Sequence, residues 1–329
     1  MFPHLKFPKR FSLTASIDWF YRHYFVNAGL RSVITDLGDG DDTNMHCWVP
    51  KIHKPFKPNI ILIHGFGANA MWQYGEHIRH FTSHFNVYVP DLVFFGNSYT
   101  SSQERTDLFQ ATCVIKLMQA HRVEKTSVVG ISYGGFVGYS IAVQCPEMVE
   151  KLVLCCAGVC MEEKDMEDGL FNVSNLEEAS SILLPQTPQK LKELMRYSFF
   201  KPAKAIPSFF LTDFIKVMCT NNVEEKRELI GAILVNRKMS NVPKISQPTL
   251  IIWGEQDQIF PLELGYRLKR HIGKHSQLVI IKKAGHAVNL EQHKEFIKHL
   301  KSFLCDLFWS PPPSPTWKDH FHGHINKVY

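Results

Sequence analysis

Six short apolar runs set the terms on which this chain can fold: NIILIH (59–64), NVYVP (86–90), KTSVVG (125–130), KLVLCC (151–156), PTLIIWG (248–254) and SQLVII (276–281). Each is rich in β-branched residues and nearly continuous in its apolar character rather than alternating, the pattern of a strand buried on both faces. Longer segments with helical spacing separate most of them, among them 107–120, 135–144, 262–271 and 292–304. Strands of this kind alternating with helices predict an α/β fold, a mostly parallel sheet covered by helices on both faces. Ahead of the alternation, 32–37 and 43–49 are extended segments joined by the turn-rich GDGD, so a hairpin is expected before the first parallel strand.

The alternation fails between 158 and 240. Pro185, Pro188, Pro202 and Pro207 punctuate helical fragments there, and Phe199, Phe200, Phe209, Phe210 and Phe214 crowd into a short stretch. The expected organisation is an α/β core made of 31–157 and 241–306, interrupted by a helical cap at 158–240 that acts as a lid. Residues 1–30 form an amphipathic extension in which Ile17, Phe20, Tyr21 and Tyr24 share one helix face. That face either packs on the body or makes a peripheral contact with a membrane surface. Residues 307–329 begin with a proline-rich stop and have no periodic apolar face, so a flexible tail is expected.

Composition removes several function classes. The chain has 329 residues, and its 45% hydrophobic content is enough for a substantial core. With 37 Lys and Arg against 31 Asp and Glu, the net charge of +6 is too small and too scattered for a nucleic-acid footprint. The cysteines lie mostly inside apolar stretches without C-x-x-C pairs, which indicates reduced thiols and a cytoplasmic setting. Cys155, Cys156 and Cys160 lack metal-ligand spacing, so no metal is expected. No run of apolar residues is long enough for a transmembrane helix. The N-terminus mixes aromatics with Lys6, Lys9, Arg10 and Arg22 and lacks the apolar stretch of a secretory signal.

The chemistry is concentrated at four loops. Gly130-Ile131-Ser132-Tyr133-Gly134-Gly135 follows the strand KTSVVG directly and opens a helix. A G-x-S-x-G pattern arises by chance on the order of 0.1 times in a chain this size, so its placement carries the argument. Between strand and helix it forms a nucleophile elbow, a turn too tight for side chains whose strain lifts the serine oxygen into the open. A serine hydroxyl needs a base to take its proton and an acid to orient that base. His286, in KKAGH after the last predicted strand, and Asp257, in WGEQD after PTLIIWG, both fall at strand carboxyl ends, where open α/β sheets place their sites. Glu255 is the rival for the acid. His64-Gly65-Phe66-Gly67 ends the strand NIILI, and the amides of Phe66 and Tyr133 are the expected oxyanion donors, worth roughly 3 kcal/mol each. The His64 side chain is expected to brace that loop.

The HGFG, GISYGG, GEQD and AGH segments, in this order, resemble the α/β-hydrolase fold superfamily over about residues 31–306. WGEQDQIFPLELG and AGHAVNLEQHKEF are similar to the branch that holds monoacylglycerol-lipase-like esterases, meta-cleavage-product C–C hydrolases and their plant relatives. The resemblance implies a serine hydrolase with Ser132 as nucleophile, His286 as base and Asp257 as its partner, acting on a small-molecule ester without a cofactor. Serine rather than aspartate at the elbow sets the chain apart from the dehalogenase and epoxide-hydrolase relatives. Where relatives carry D-L-x-G-x-G-x-S, this chain has DLVFFGNS, with Phe94 in place of the first glycine. Phe94 therefore either greases the site entrance or fills core. The cap phenylalanines, with Leu183, Leu184 and Met218, either line an apolar pocket over Ser132, which favours a lipid-like acyl group, or form the cap's own core. C–C bond hydrolysis of a diketone and a non-catalytic, ligand-binding role are the alternatives. Ala287 after the histidine, where the C–C hydrolases commonly carry tryptophan, counts against the first of these.

Overall fold

All six apolar runs become strands of one sheet. A computed structural model describes residues 12–306 apart from 39, 204, 235 and 236; residues 1–11 of the extension and the tail at 307–329 lie outside the described residues. The strands are β1 (Leu30–Asp36), β2 (Asn44–Pro50), β3 (Asn59–Ile63), β4 (Asn86–Pro90), β5 (Thr126–Ile131), β6 (Val149–Cys155), β7 (Thr249–Gly254) and β8 (Ser276–Ile281). They pair in the order β1-β2-β4-β3-β5-β6-β7-β8. The hairpin of β1 and β2 is antiparallel and joins antiparallel to β4, while every pair from β4 to β8 is parallel. All residues of β4, β5 and β7 are buried, as unalternating apolar runs require.

The helices start where local chemistry lets them. Thr106 caps Asp107–Ala120 by accepting the Phe109 amide at 3.1 Å, and Asp107 favours the positive end of the helix dipole. The helix Tyr133–Gln144 carries three glycines in its length, buries nearly all its residues, and packs closely on β5 and β6. Helices Leu262–Ile272 and His293–Cys305 bury one stripe each.

Between β6 and β7 the chain leaves the sheet. Among the described residues this connection holds the α-helices Lys164–Glu167, Leu176–Leu183, Pro188–Ser198, Ser208–Met218 and Val223–Leu234. Prolines set two of their starts: Thr187 caps with Pro188 in the first turn, and Pro207 precedes Ser208. Leu191, Leu211, Ile215 and Cys219 pack as a small cluster separate from the main core. Arg267 anchors the connection to the sheet layer through Asp165 at 2.6 Å.

The extension forms the helix Leu13–Asn27, capped by Ser12, but its inward face differs from the expected one. Thr14 and Phe25 are buried, Ile17, Tyr21 and Tyr24 are partly buried, and Phe20 is 58% exposed beside Trp19. The inward stripe runs through 14, 17, 21 and 25, so Phe20 falls on the outer side and Phe25 takes the anchoring place against Trp48, with ring centroids 5.1 Å apart. No described helix is long and apolar enough to cross a membrane.

Candidate active site

The four loops singled out in the sequence all leave the carboxyl ends of parallel strands: β3 leads into His64, β5 into Ser132, β7 into Asp257 and β8 into His286. Ser132 sits between β5 and the helix at Tyr133 with φ 54° and ψ −122°, left-handed backbone that costs an L-residue about 1–3 kcal/mol. The surrounding turn holds it there: Ser132 N donates to Cys155 O at 2.8 Å, and a Cβ on Gly130 would overlap the Gly134 carbonyl.

Asp257 and His286 meet across the β7 and β8 loops. Those loops are fastened by Glu255 N to Ile281 O at 3.0 Å and Gln256 N to Ala284 O at 2.9 Å. His286 Nδ1 lies 2.9 Å from Asp257 Oδ2, and the Asp257 side chain is fully buried. Asp257 Oδ1 accepts the amides of Ile259 and Phe260, both at 2.9 Å. Both carboxylate oxygens are thus engaged, and Nδ1 carries the proton, which leaves Nε2 as the free basic atom. Glu255, by contrast, is exposed and makes no such bond. Cys156 Sγ lies with Asp257 and His286 ligand atoms within 4.8 Å. Burial and the neighbouring Cys155 push the Cys156 thiol well above its usual range, so it stays protonated.

The β3 loop presses against the serine. A Cβ on Gly65 would lie 2.8 Å from Ser132 Cβ, so only glycine lets the loop pass this close. Gly65 N donates to Gln73 Oε1 at 2.6 Å, and Gly65 O accepts from His64 Nδ1 at 2.8 Å. His64 Nε2 in turn accepts the Leu92 amide at 3.0 Å, and burial lowers the pKa of the ring, so His64 is a neutral brace with both nitrogens engaged. Phe66 follows, its ring edge-on to Tyr133 at 5.0 Å and to Phe95 at 5.2 Å. Tyr133 opens its helix, so its amide has no intrahelical acceptor.

Ser132, His286 and Phe66 share a cavity of about 460 Å³ with a mostly apolar wall. Of the aromatic residues expected in its lining, Phe199, Phe210 and Phe214 are there. Phe200 and Phe209 are not: they face outward, 36% and 65% exposed, with the Phe209 ring tilted against Phe210. Phe94 is not a lining residue either. It is buried in the core with φ 75°, its ring under the Arg105 guanidinium at 4.6 Å and its carbonyl held by Asn222 Nδ2 at 3.0 Å. Leu13, Ile17 and Trp72, which no sequence pattern placed there, also line the wall, and Glu291 supports the His286 loop from outside it. The Glu291 carboxylate accepts Gly285 N at 2.7 Å, Phe200 N at 3.0 Å and Lys201 N at 3.1 Å, tying the His286 loop to the β6–β7 connection.

Residues 58–292 match the sequence profile of the alpha/beta hydrolase fold, which spans most of the described chain. The chain belongs to the α/β-hydrolase fold family. Within the α/β-hydrolases it is lipase- and esterase-like. Monoacylglycerol lipase ABHD6 of Bos taurus is 25% identical over 264 residues, 76% of each chain. The 2-hydroxy-6-oxo-2,4-heptadienoate hydrolase of Pseudomonas putida is 26% identical over 298 residues, 85% of this chain and 98% of that one. Among solved structures, lip1 of Acinetobacter baumannii AYE superposes with a TM-score of 0.75 at 23% identity, covering 91% of this α/β-hydrolase and 98% of its own chain.

Proposed function

We propose that this α/β-hydrolase cleaves carboxylic esters with an apolar, lipid-like acyl group through a Ser132-His286-Asp257 triad. The observation that carries the reading is His286, which lines the same cavity as the strained Ser132 and pairs through Nδ1 with the buried Asp257. Ser132 Oγ attacks the ester carbonyl carbon as its proton passes to His286 Nε2, and Asp257 stabilises the imidazolium that forms. The carbonyl oxygen becomes an oxyanion between the Phe66 and Tyr133 amides. Collapse of this intermediate breaks the C–O bond, and His286 hands its proton to the leaving alcohol. Water, deprotonated by His286, then attacks the acyl-serine, and the second collapse releases the acid and regenerates Ser132.

The lining supports an ester over a 2-hydroxy-6-oxo-dienoate. Such a diketone carries a carboxylate, and no lysine or arginine is among the described residues of the cavity wall. Methylene-rich chains instead find Leu, Ile, Met and Phe side chains there, at about 0.8 kcal/mol per buried methylene. The test is fluorophosphonate labelling together with turnover of acetyl to dodecanoyl esters, in wild type and Ser132→Ala. Labelling and turnover are expected in wild type and lost in the variant. Labelling that persists at wild-type level in Ser132→Ala, or activity that peaks at acetyl and vanishes by octanoyl, overturns the reading.

A further inference from the structure

We propose that the N-terminal helix Leu13–Asn27 is part of the substrate site, forming one wall of an acyl-chain subsite in which Ile17 sets the length of chain accepted. This subsite deepens the ester-hydrolase reading and rests on it for the identity of the ligand. The helix stands outside the strand-end loops that carry the chemistry, yet Leu13, Thr14 and Ile17 line the same cavity as Ser132 and His286. It is held in place from both sides. Asp213, on the helix Ser208–Met218, accepts Thr14 N at 2.8 Å and Ser12 Oγ at 3.1 Å, satisfying amide and cap together at the helix start. One turn on, Asp18 Oδ1 accepts the indole N–H of Trp72 at 3.0 Å, which fixes the helix to the segment following the β3 loop. Trp72 then packs edge-on against Tyr21 at 5.6 Å and against Phe214 at 5.7 Å. The helix is thus a strut between the core and the β6–β7 connection.

The chemistry of that wall selects the ligand. Ile17, Leu13, Trp72 and Phe214 offer saturated and aromatic surface, and the two polar ties consume the carboxylates that would otherwise repel an apolar chain. A saturated alkyl chain fits such a lining, each buried methylene strengthening binding about fourfold.

The decisive readout is binding rather than turnover. In the Ser132→Ala background, the affinities of a homologous series of 2-alkanones, from hexanone to tetradecanone, report the subsite without hydrolysis. Adding Ile17→Trp fills space and is expected to lower the ratio of long-chain to short-chain affinity by about tenfold or more, the equivalent of roughly two methylenes. Adding Ile17→Ala opens space and is expected to move the preferred length upward. Opposite shifts in the two variants, both retaining the wild-type unfolding temperature, support the subsite. Ratios that stay within about twofold of the parent, or that move in the same direction for both substitutions, overturn it. If the 2-alkanones follow the expected pattern while wild type turns over no ester, the hydrolytic reading falls and the chain-binding subsite stands.

Discussion

Replacing Asp257 by Asn probes the acid–base pair while leaving its shape intact, and the structure dictates how the new amide must sit. Two backbone amides, Ile259 N and Phe260 N, point at Oδ1 from 2.9 Å, so the asparagine oxygen is drawn to that side. Its NH2 is then forced toward His286, where Oδ2 accepted at 2.9 Å. Facing a donor, Nδ1 must give up its proton, and the imidazole switches to the tautomer protonated at Nε2. That atom can no longer take a proton from Ser132. An inverted tautomer of this kind lowers kcat by about ten-thousandfold in a Ser-His-Asp triad, equivalent to about 5.4 kcal/mol of transition-state stabilisation. Stability should fall by less than about 1 kcal/mol, because every hydrogen bond finds a new partner of the right kind. Asp257→Ala provides the contrast. It abolishes turnover similarly but strands two buried amides and Nδ1, at about 1–3 kcal/mol for each unsatisfied group. The assay is turnover of a chromogenic butyrate ester alongside urea unfolding of both variants. An Asn variant that keeps more than about a tenth of wild-type kcat, with unchanged unfolding, refutes the tautomer argument and the role given to Asp257.

Gly65→Ala places a Cβ 2.9 Å from the Ile131 carbonyl and against Ser132, so the loop must withdraw; kcat should drop by about a hundredfold while thermal unfolding shifts only modestly. An active Gly65→Ala enzyme would detach Phe66 from oxyanion binding. Asp91→Asn removes a buried carboxylate that accepts His46 Nδ1 at 2.7 Å and Ala70 N at 3.0 Å, and should cost about 3 kcal/mol in chemical denaturation. Although burial alone would raise the Asp91 pKa, the hydrogen bond and charge of His46 hold it below the usual range. Its contribution is therefore present above the unfolded carboxylate pKa near 3.8 and fades as pH falls below it. His77 is fully buried with neither ring nitrogen partnered, and burial, then His293 and His80, push its pKa down to about 3. Below pH 6.5 the unfolded chain takes a proton that the folded chain refuses, so stability falls by up to about 1.4 kcal/mol per pH unit toward pH 3. His77→Phe, which keeps a ring against Phe296 and His293, should flatten that decline in urea titrations down to about pH 4.5. An identical slope would reject the assignment.

What could be foreseen and what could not divides along the range of the interactions. The strands were legible because burial on both faces leaves no room for alternation, and 86–90 and 276–281 match β4 and β8 residue for residue. The helix at 107–120 was equally plain, since Thr106 and Asp107 mark its start by local chemistry. The strand-end positions of Ser132, Asp257 and His286 follow from the same alternation, because each follows its own strand within a few residues. The cavity wall was not legible in this way. Phe199, Phe209 and Phe210 are chemically alike, and only the placement of the helix Ser208–Met218 turns Phe210 inward and Phe209 outward. Ile17 and Trp72 reach the cavity through packing between segments far apart in sequence, which no periodicity encodes. Phe94 stayed open between entrance and core for a different reason. Its backbone keeps the positive φ that suits glycine, and its ring is retained by Arg105, a cation too distant in sequence to be paired with it beforehand.

The spread of the proposed reacting groups over separate strands also has a meaning in time. Among the described residues His286 follows the last strand, β8, which pairs only with β7 at the edge of the sheet. A ribosome extending the chain by about 5–20 residues per second delivers Ser132 roughly eight to thirty seconds before His286. During synthesis the elbow can therefore form on β5 before the proposed base exists, and the proposed nucleophile of the nascent protein has no partner to activate it. With the proposed triad, hydrolysis waits for β8 to join the sheet, so completion of the fold is itself the activating event.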